Sequence, residues 1–431
     1  MREHQSTDWR EQKFGDLCQR IVNGGTPSTD NPRFWNGLTP WVTGADFTPR
    51  GIGEIRRFVS ESGIRASSTS VVKAGNLLVV TRTGVGKIAI APFDIAISQD
   101  ISGVYIDRGK ADTTFVFHLL TQELEELKKL NQGTSINGII RGDLEKHLVR
   151  IPRSKAVQRK TAAILTTIDT AIEQTEALIE KYQHIKAGLM HDLFTRGVLP
   201  NGQLRPPREQ APELYQETAI GWIPREWQYE LLDKLAHRGS GHTPNKDHPE
   251  YWNGGVKWVS LADSNKLDQL YISDTELEIS HRGISNSSAV LHPAGIVVLS
   301  RDAGVGKSAI TTKPMAVSQH FMCWKCDQKM DNHFLYYWLQ YNKRTFENIA
   351  MGSTILTIGL PYFKRLKIAC PLDLTEQQSI ATRLKAADTR IFAMQDDLEK
   401  LRQQKQGLMQ DLLTGKVAVT VDSSENAAHA Q

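Results

Sequence analysis

Apolar positions recur in steps of four and three along two stretches of the chain. The first stretch runs Thr161, Leu165, Ile168, Ile172, Thr175, Ile179, Tyr182, Lys186, Leu189, Leu193, and the second Ile380, Leu384, Ala387, Ile391, Met394, Leu398, Leu401, Lys405, Leu408, Leu412. That is a heptad seam. It predicts two long helices, roughly Lys155–Thr195 and Thr375–Thr414, broken by no proline. Every member of the second seam lies 219 residues after its counterpart in the first, as Lys405 does after Lys186. Neither helix can bury its stripe alone, so the two are expected to zip together, with the seam lysines snorkelling to water. Elsewhere the apolar positions fall in short strand-sized runs. Leu77–Thr81 and Ile88–Ala91 flank a Gly-Val-Gly turn and read as a hairpin. Phe115–Leu130 and Asn332–Ala350 read as further helices.

The repeat extends beyond the helices. Thr26-Pro27, Phe34-Trp35-Asn36-Gly37, Trp41-Val42 and Asp46 return as Thr243-Pro244, Tyr251-Trp252-Asn253-Gly254, Trp258-Val259 and Asp263. Arg82 with Gly84-Val85-Gly86-Lys87 returns as Arg301 with Gly304-Val305-Gly306-Lys307, and Ser98-Gln99 as Ser318-Gln319. Gly133-Thr134-Ser135-Ile136 returns as Gly352-Ser353-Thr354-Ile355. The order is kept throughout, so the chain is a tandem internal duplication. The expected fold class is α+β. Two mixed domains, residues 1–152 and 226–372, would sit at opposite ends of an antiparallel two-helix coiled coil formed by 153–197 and 373–416. An extended, proline-rich linker, 198–225, would join the copies, and 417–431 would be a disordered tail. The antiparallel sense follows from connectivity, because parallel helices would force the connection to recross about 50 Å.

Composition narrows the function classes. With 40% hydrophobic and 23% charged residues the chain reads as a soluble globular protein, and a net charge of +4 permits nucleic acid without demanding it. Met1–Trp9 is polar and no run approaches a bilayer span, so a cytoplasmic protein without membrane contact is expected. Cys323 and Cys326 form a C-x-x-C without a second ligand pair at zinc-like spacing, which favours reduced thiols over a metal site.

The sharper motifs are weighed by context. Ala303–Ser308 resembles a phosphate loop, but Arg301 stands where its first glycine belongs and a strand follows instead of a helix. Arg82, Lys87, Arg301 and Lys307 suit DNA-phosphate contacts, or else solvated bases on a tight hairpin. Gln99 and Gln319 suit adenine reading, or else fix a strand end. Thr134, Ser135, Ser353 and Thr354 suit phosphate or sugar contacts, or else cap a turn. Asn31-Pro32-Arg33-Phe34 lacks the second proline of a methyltransferase motif, and its counterpart His248-Pro249-Glu250-Tyr251 lacks the asparagine. No catalytic residue or metal ligand set is found.

In this order and twice over, these motifs, with Ile220-Gly221-Trp222-Ile223-Pro224 and Trp227, resemble the specificity subunits of type I restriction–modification enzymes. The first copy departs by keeping only Trp9 and Leu17 of the opening phrase. The resemblance implies a non-catalytic chain in which two target recognition domains read a bipartite, gapped site in double-stranded DNA. It implies that the helices dock two modification (methyltransferase) subunits and that restriction subunits join. S-adenosylmethionine, ATP and magnesium would belong to those partners, with no cofactor in this chain. The competing classes are a non-catalytic assembly scaffold and a single-chain DNA-modifying enzyme.

Overall fold

A computed structural model describes residues 8–48, 51–82, 86–130, 141–352 and 356–421, and side chains throughout these except for 125–130. The chain divides into two compact units, Met1–Leu178 with Gln395–Gln431, and Ile179–Met394. Each long helix, Lys155–Thr195 and Leu374–Leu412, is shared between them.

In the first unit Trp9–Lys13 pairs antiparallel with Leu148–Pro152, which leads into the first long helix. One four-stranded sheet runs Cys18–Asn23, Ile101–Ile106, Leu77–Val80, Ile88–Ile90. A second runs Phe58–Val59, Thr39–Val42, Ile95–Ile97, Ser70–Val72, with Trp41 and Ala96 in a parallel pair. Leu77–Val80 is apolar at every position because both its faces are covered. Leu77 and Val79 face a core with Phe14, Phe115 and Leu165, while Leu78 and Val80 face another with Val42, Val72 and Ile97. The first core reaches both long helices: Leu165 and Leu408 pack in it. There the two long helices run antiparallel, since Asp169 pairs with Lys405 and Glu176 with Arg402.

The second unit repeats the plan. Trp227–Leu231 pairs with Lys367–Pro371, in the same antiparallel sense and beginning with the same Trp–Pro partners. The N-terminal edge thus conforms to the repeat although its opening phrase is shortened. A five-stranded sheet runs His237–Ser240, Phe321–Lys325, Val297–Ser300, Ser308–Thr311, Tyr271–Ile272, and a three-stranded one has Trp252–Val259 at its centre. Val297 and Leu299 join a core with Leu193, Trp324, Ile380 and Leu384; Ile296 and Val298 join its neighbour. Lys186 meets Asp388 and Tyr182 meets Arg390, so the helices are antiparallel here too.

Of the seam, Leu165, Ile168, Ile179, Leu193, Ile380, Leu384, Ile391, Leu398 and Leu412 are buried; Ile172, Tyr182, Leu189, Leu401 and Leu408 are half-buried. The seam lysines do not snorkel to water. Lys405 Nζ lies 2.6 Å from Asp169 and Lys186 Nζ 2.5 Å from Asp388, an aspartate on the opposing helix in each case.

Two further sequence expectations need correction. The helix expected over Asn332–Ala350 is two helices, Asn332–Tyr341 and Lys343–Ile349. Asn342 separates them: its backbone leaves the helical region at φ −92°, ψ 9°, and its side-chain amide also donates to the Trp338 carbonyl. The proline-rich segment 198–225 joins the copies but is folded, not extended. It carries the hairpin Tyr215–Thr218/Gly221–Pro224, and Arg205 is buried between Glu376 and Glu226. Residues 417–421 have no regular structure, and 422–431 lie outside the described residues.

Candidate nucleic-acid interface

In both units the repeated tryptophans fasten the Thr-Pro loop. Trp41 Nε1 donates to the Gly25 carbonyl and Trp35 Nε1 to that of Ser28; Trp258 donates to His242 and Trp252 to Asn245. The rings meet edge to face, with centroids 5.0 Å apart in the first unit and 5.3 Å in the second. The Thr26 hydroxyl donates to Gln99 Oε1, and that of Thr243 to Gln319 Oε1. Both glutamines are exposed. With the carbonyl oxygen engaged, the amide N–H groups are the donors each side chain can offer a ligand.

The turn after each second tryptophan is closed by an aspartate. Asp46 accepts from the Thr43 N–H at 2.8 Å and from Arg56 Nη2 at 2.5 Å; Asp263 accepts from the Ser260 N–H at 2.9 Å. Burial pushes the Asp46 carboxyl up, but the hydrogen bonds from Arg56 and Thr43 outweigh it and hold its pKa below the ordinary value. Lys87 and Lys307 reach these same turns. Lys87 Nζ donates to the Gly44 and Phe47 carbonyls at 3.0 and 3.3 Å, and Lys307 Nζ to the Ser264 carbonyl and hydroxyl at 3.0 and 3.1 Å. Each lysine therefore ties the Gly-Val-Gly-Lys hairpin to the turn beside the tryptophans.

Arg82 is exposed. Arg301 is mostly covered, its Nε bonding the Ile358 carbonyl at 2.9 Å and Nη1 the Gln319 carbonyl at 3.2 Å. Asp302 and Met351 both bridge to Thr357, so the turn after Arg301 meets residues that flank the second hydroxyl motif in sequence. Ser353 and Thr354 themselves, with Thr134, Ser135, Gly84 and Val85, lie outside the described residues.

In the second unit these parts frame a cleft of about 520 Å³. Trp252, Trp258, Leu261 and Leu277 give it apolar walls; Thr243, Lys246, Gln319 and His320 give it polar ones. Ser318 Oγ is buried in its wall and has no hydrogen-bond partner among the described residues. His320 Nδ1 is 2.7 Å from Asp302 Oδ2. A cation, an amide and an imidazole around an apolar floor suit a base edge with an adjacent phosphate.

Sequence reading missed several of these residues. Lys246 and His320 stand at positions where the first copy has Thr29 and Asp100, so the repeat did not flag them. Gln158 and Gln377 were hidden in the helix starts. Both are fully buried, and each bonds the proline ending the preceding strand (Pro152, Pro371) and a backbone N–H of its own mixed domain (Asp112, Asp331). Their equal spacing was the available signal. Cys323 lies inside a core strand, where burial pushes its thiol up to about 12; burial also raises Cys326, so both sulfurs stay protonated.

Comparison with known proteins places this arrangement. The family described as type I restriction modification DNA specificity domain matches twice, over residues 6–182 and 224–403. The chain belongs to this family, whose members serve recognition and not catalysis. The MjaVIII type I restriction enzyme specificity subunit of Methanocaldococcus jannaschii is 23% identical, over 96% of this chain and 93% of that one. The MjaIX specificity subunit of the same organism is 28% identical but matches only 41% of each chain. Among solved structures, the type I system S subunit from M. genitalium shares the fold with a TM-score of 0.59 at 14% identity, covering 97% of this chain and 99% of that one. A chain from a structure of type I restriction–modification complex assembly gives 0.55 at 16% identity, covering 94% and 98%. Among the described residues no helix is long and apolar enough to cross a membrane.

Proposed function

We propose that this chain is the sequence-reading subunit of a type I restriction–modification assembly acting on double-stranded cytoplasmic DNA. Each mixed domain reads one part of a bipartite, gapped site. The long helices dock two modification subunits, restriction subunits join the assembly, and S-adenosylmethionine, ATP and magnesium are bound by those partners. The observation that carries this reading is one scaffold built twice with unlike residues around it. The tryptophan pair, the Thr–Gln bond and the Lys-to-carbonyl tie recur, while Asp100 becomes His320 and Thr29 becomes Lys246. A duplicated scaffold with changed surface suits two half-sites of different sequence.

The test is methyl transfer by the purified chain, by its modification subunit, and by the two together. We expect transfer only from the pair, on a defined motif. Transfer by this chain alone would make it an enzyme; a stable complex that methylates without sequence preference would make it a scaffold.

A further inference from the structure

Resting on that reading, we infer that residue 57 of the first recognition domain and residue 277 of the second are equivalent specificity-determining positions. Arg57 reads a guanine in one half-site, and Leu277 leaves the matching place in the other half-site without that requirement.

The equivalence is fixed by the backbone. The Trp41 N–H donates to the Arg57 carbonyl at 2.9 Å, and the Trp258 N–H to the Leu277 carbonyl at 3.3 Å. The next two residues, Phe58–Val59 and Glu278–Ile279, pair antiparallel with the tryptophan strands. Short helices follow, Glu61–Arg65 and His281–Ser285, each capped by a serine hydroxyl. Around this place the packing residues keep their identity between the copies: the tryptophan pair, the threonine and the glutamine.

The residue over the tryptophans does not keep its identity. Arg57 is exposed, and its guanidinium lies 4.4 Å from the Trp41 ring centroid and 6.0 Å from that of Trp35. Leu277 is 42% exposed and lines the cleft beside Gln319. A guanidinium held over an indole is restrained by the ring, and its donors form a planar fork. Two parallel N–H groups match guanine O6 and N7 in the major groove. Leucine has no donor and offers only apolar contact, such as to a thymine methyl. Trp258 is as well buried as Trp41, 4% against 2% exposed, with no cation over its ring among the described residues, so covering the indole does not by itself require an arginine.

The test uses the complex with the modification subunit, expressed in a host lacking DNA methylation, with methylated motifs mapped by long-read sequencing. Arg57→Leu should relax one G·C pair in one half of the motif, by about 10- to 100-fold in preference, and leave the other half intact. Arg57→Lys, which keeps charge but loses the fork, should relax the same pair. Leu277→Arg should alter only the opposite half. An unchanged motif in Arg57→Leu and Leu277→Arg overturns the inference, and relaxation at an A·T pair overturns the guanine assignment. If Arg57→Leu yields no modification, Leu277→Arg decides: a change confined to one half supports the position, and an unchanged motif refutes it. Absence of any motif with the unaltered chain would instead refute the recognition reading beneath it.

Discussion

Lys186 of the first long helix and Asp388 of the second form an ion pair of 2.5 Å, and the repeat makes the same pair from Lys405 and Asp169. Each lysine occupies a seam position that heptad logic reserves for an apolar side chain. A second group from the same unit stands beside each aspartate. The Tyr337 hydroxyl donates to Asp388 at 2.9 Å, and His118, at the position matching Tyr337, lies 3.8 Å from Asp169. A charge at a seam position is satisfied only where its partner meets it, so these pairs specify antiparallel order and register at some cost in stability.

Removing one partner should therefore cost more than removing both. Lys186→Met leaves Asp388 largely buried without its cation and is expected to destabilise the second unit by about 2–4 kcal/mol. The double variant with Asp388→Leu should recover at least half of that loss. Urea denaturation of the single and double variants checks it; equal or additive losses would deny the coupling.

The same relationship gives the first unit a pH dependence. Burial pushes His118 down to about 4, so the folded chain holds it neutral while the unfolded chain titrates near 6.5. Its contribution is complete above pH 6.5 and is lost as pH falls from 6.5 toward 4. Acidification from pH 7 to 5 should cost about 1–2 kcal/mol at this site. His118→Gln should flatten the melting temperature over that window, and an unaltered slope would count against it.

The glycine that ends each long helix carries a specific load. Gly197 has φ +65°, and a Cβ there would come within 2.8 Å of Trp227; Gly415 has φ +74°, with Trp9 at 2.6 Å. Gly197→Ala meets both a left-handed backbone and the indole, and should cost more than about 1 kcal/mol. Gly188→Ala is the control, since nothing lies near its Cβ, and in a helix interior it should stabilise. Thermal melts of the two variants should move in opposite directions.

Lys307 separates two roles. Its ammonium bonds the Ser264 carbonyl and hydroxyl, so Lys307→Met should weaken the fold of the hairpin and leave the salt slope of DNA binding unchanged. A slope shallower by about one unit would place this lysine on a phosphate.

The duplication, the helix extents and the hairpins could be read from the chain because each rests on a period or a turn signal that local sequence carries. The seam pattern could not reveal Asp169 or Asp388, since both lie beside the apolar stripe and gain meaning only from the facing helix. The folding of 198–225 depends on Arg205 finding Glu376, far along the chain, so proline density alone suggested an extended linker. The surface proposed to read bases was least visible, because repeat matching selects what the copies share, whereas the proposed reading of unlike half-sites rests on where they differ, as at Arg57 and Leu277.

The central claim is that one chain carries two separate readers. Residues 24–152 should be replaced by the corresponding segment of another specificity subunit, and the methylated motif mapped for both chains in complex with the modification subunit. The account predicts a split motif with a fixed gap for the unaltered chain, and a change confined to one half after the exchange. A continuous motif, or an exchange that alters both halves together, would contradict it.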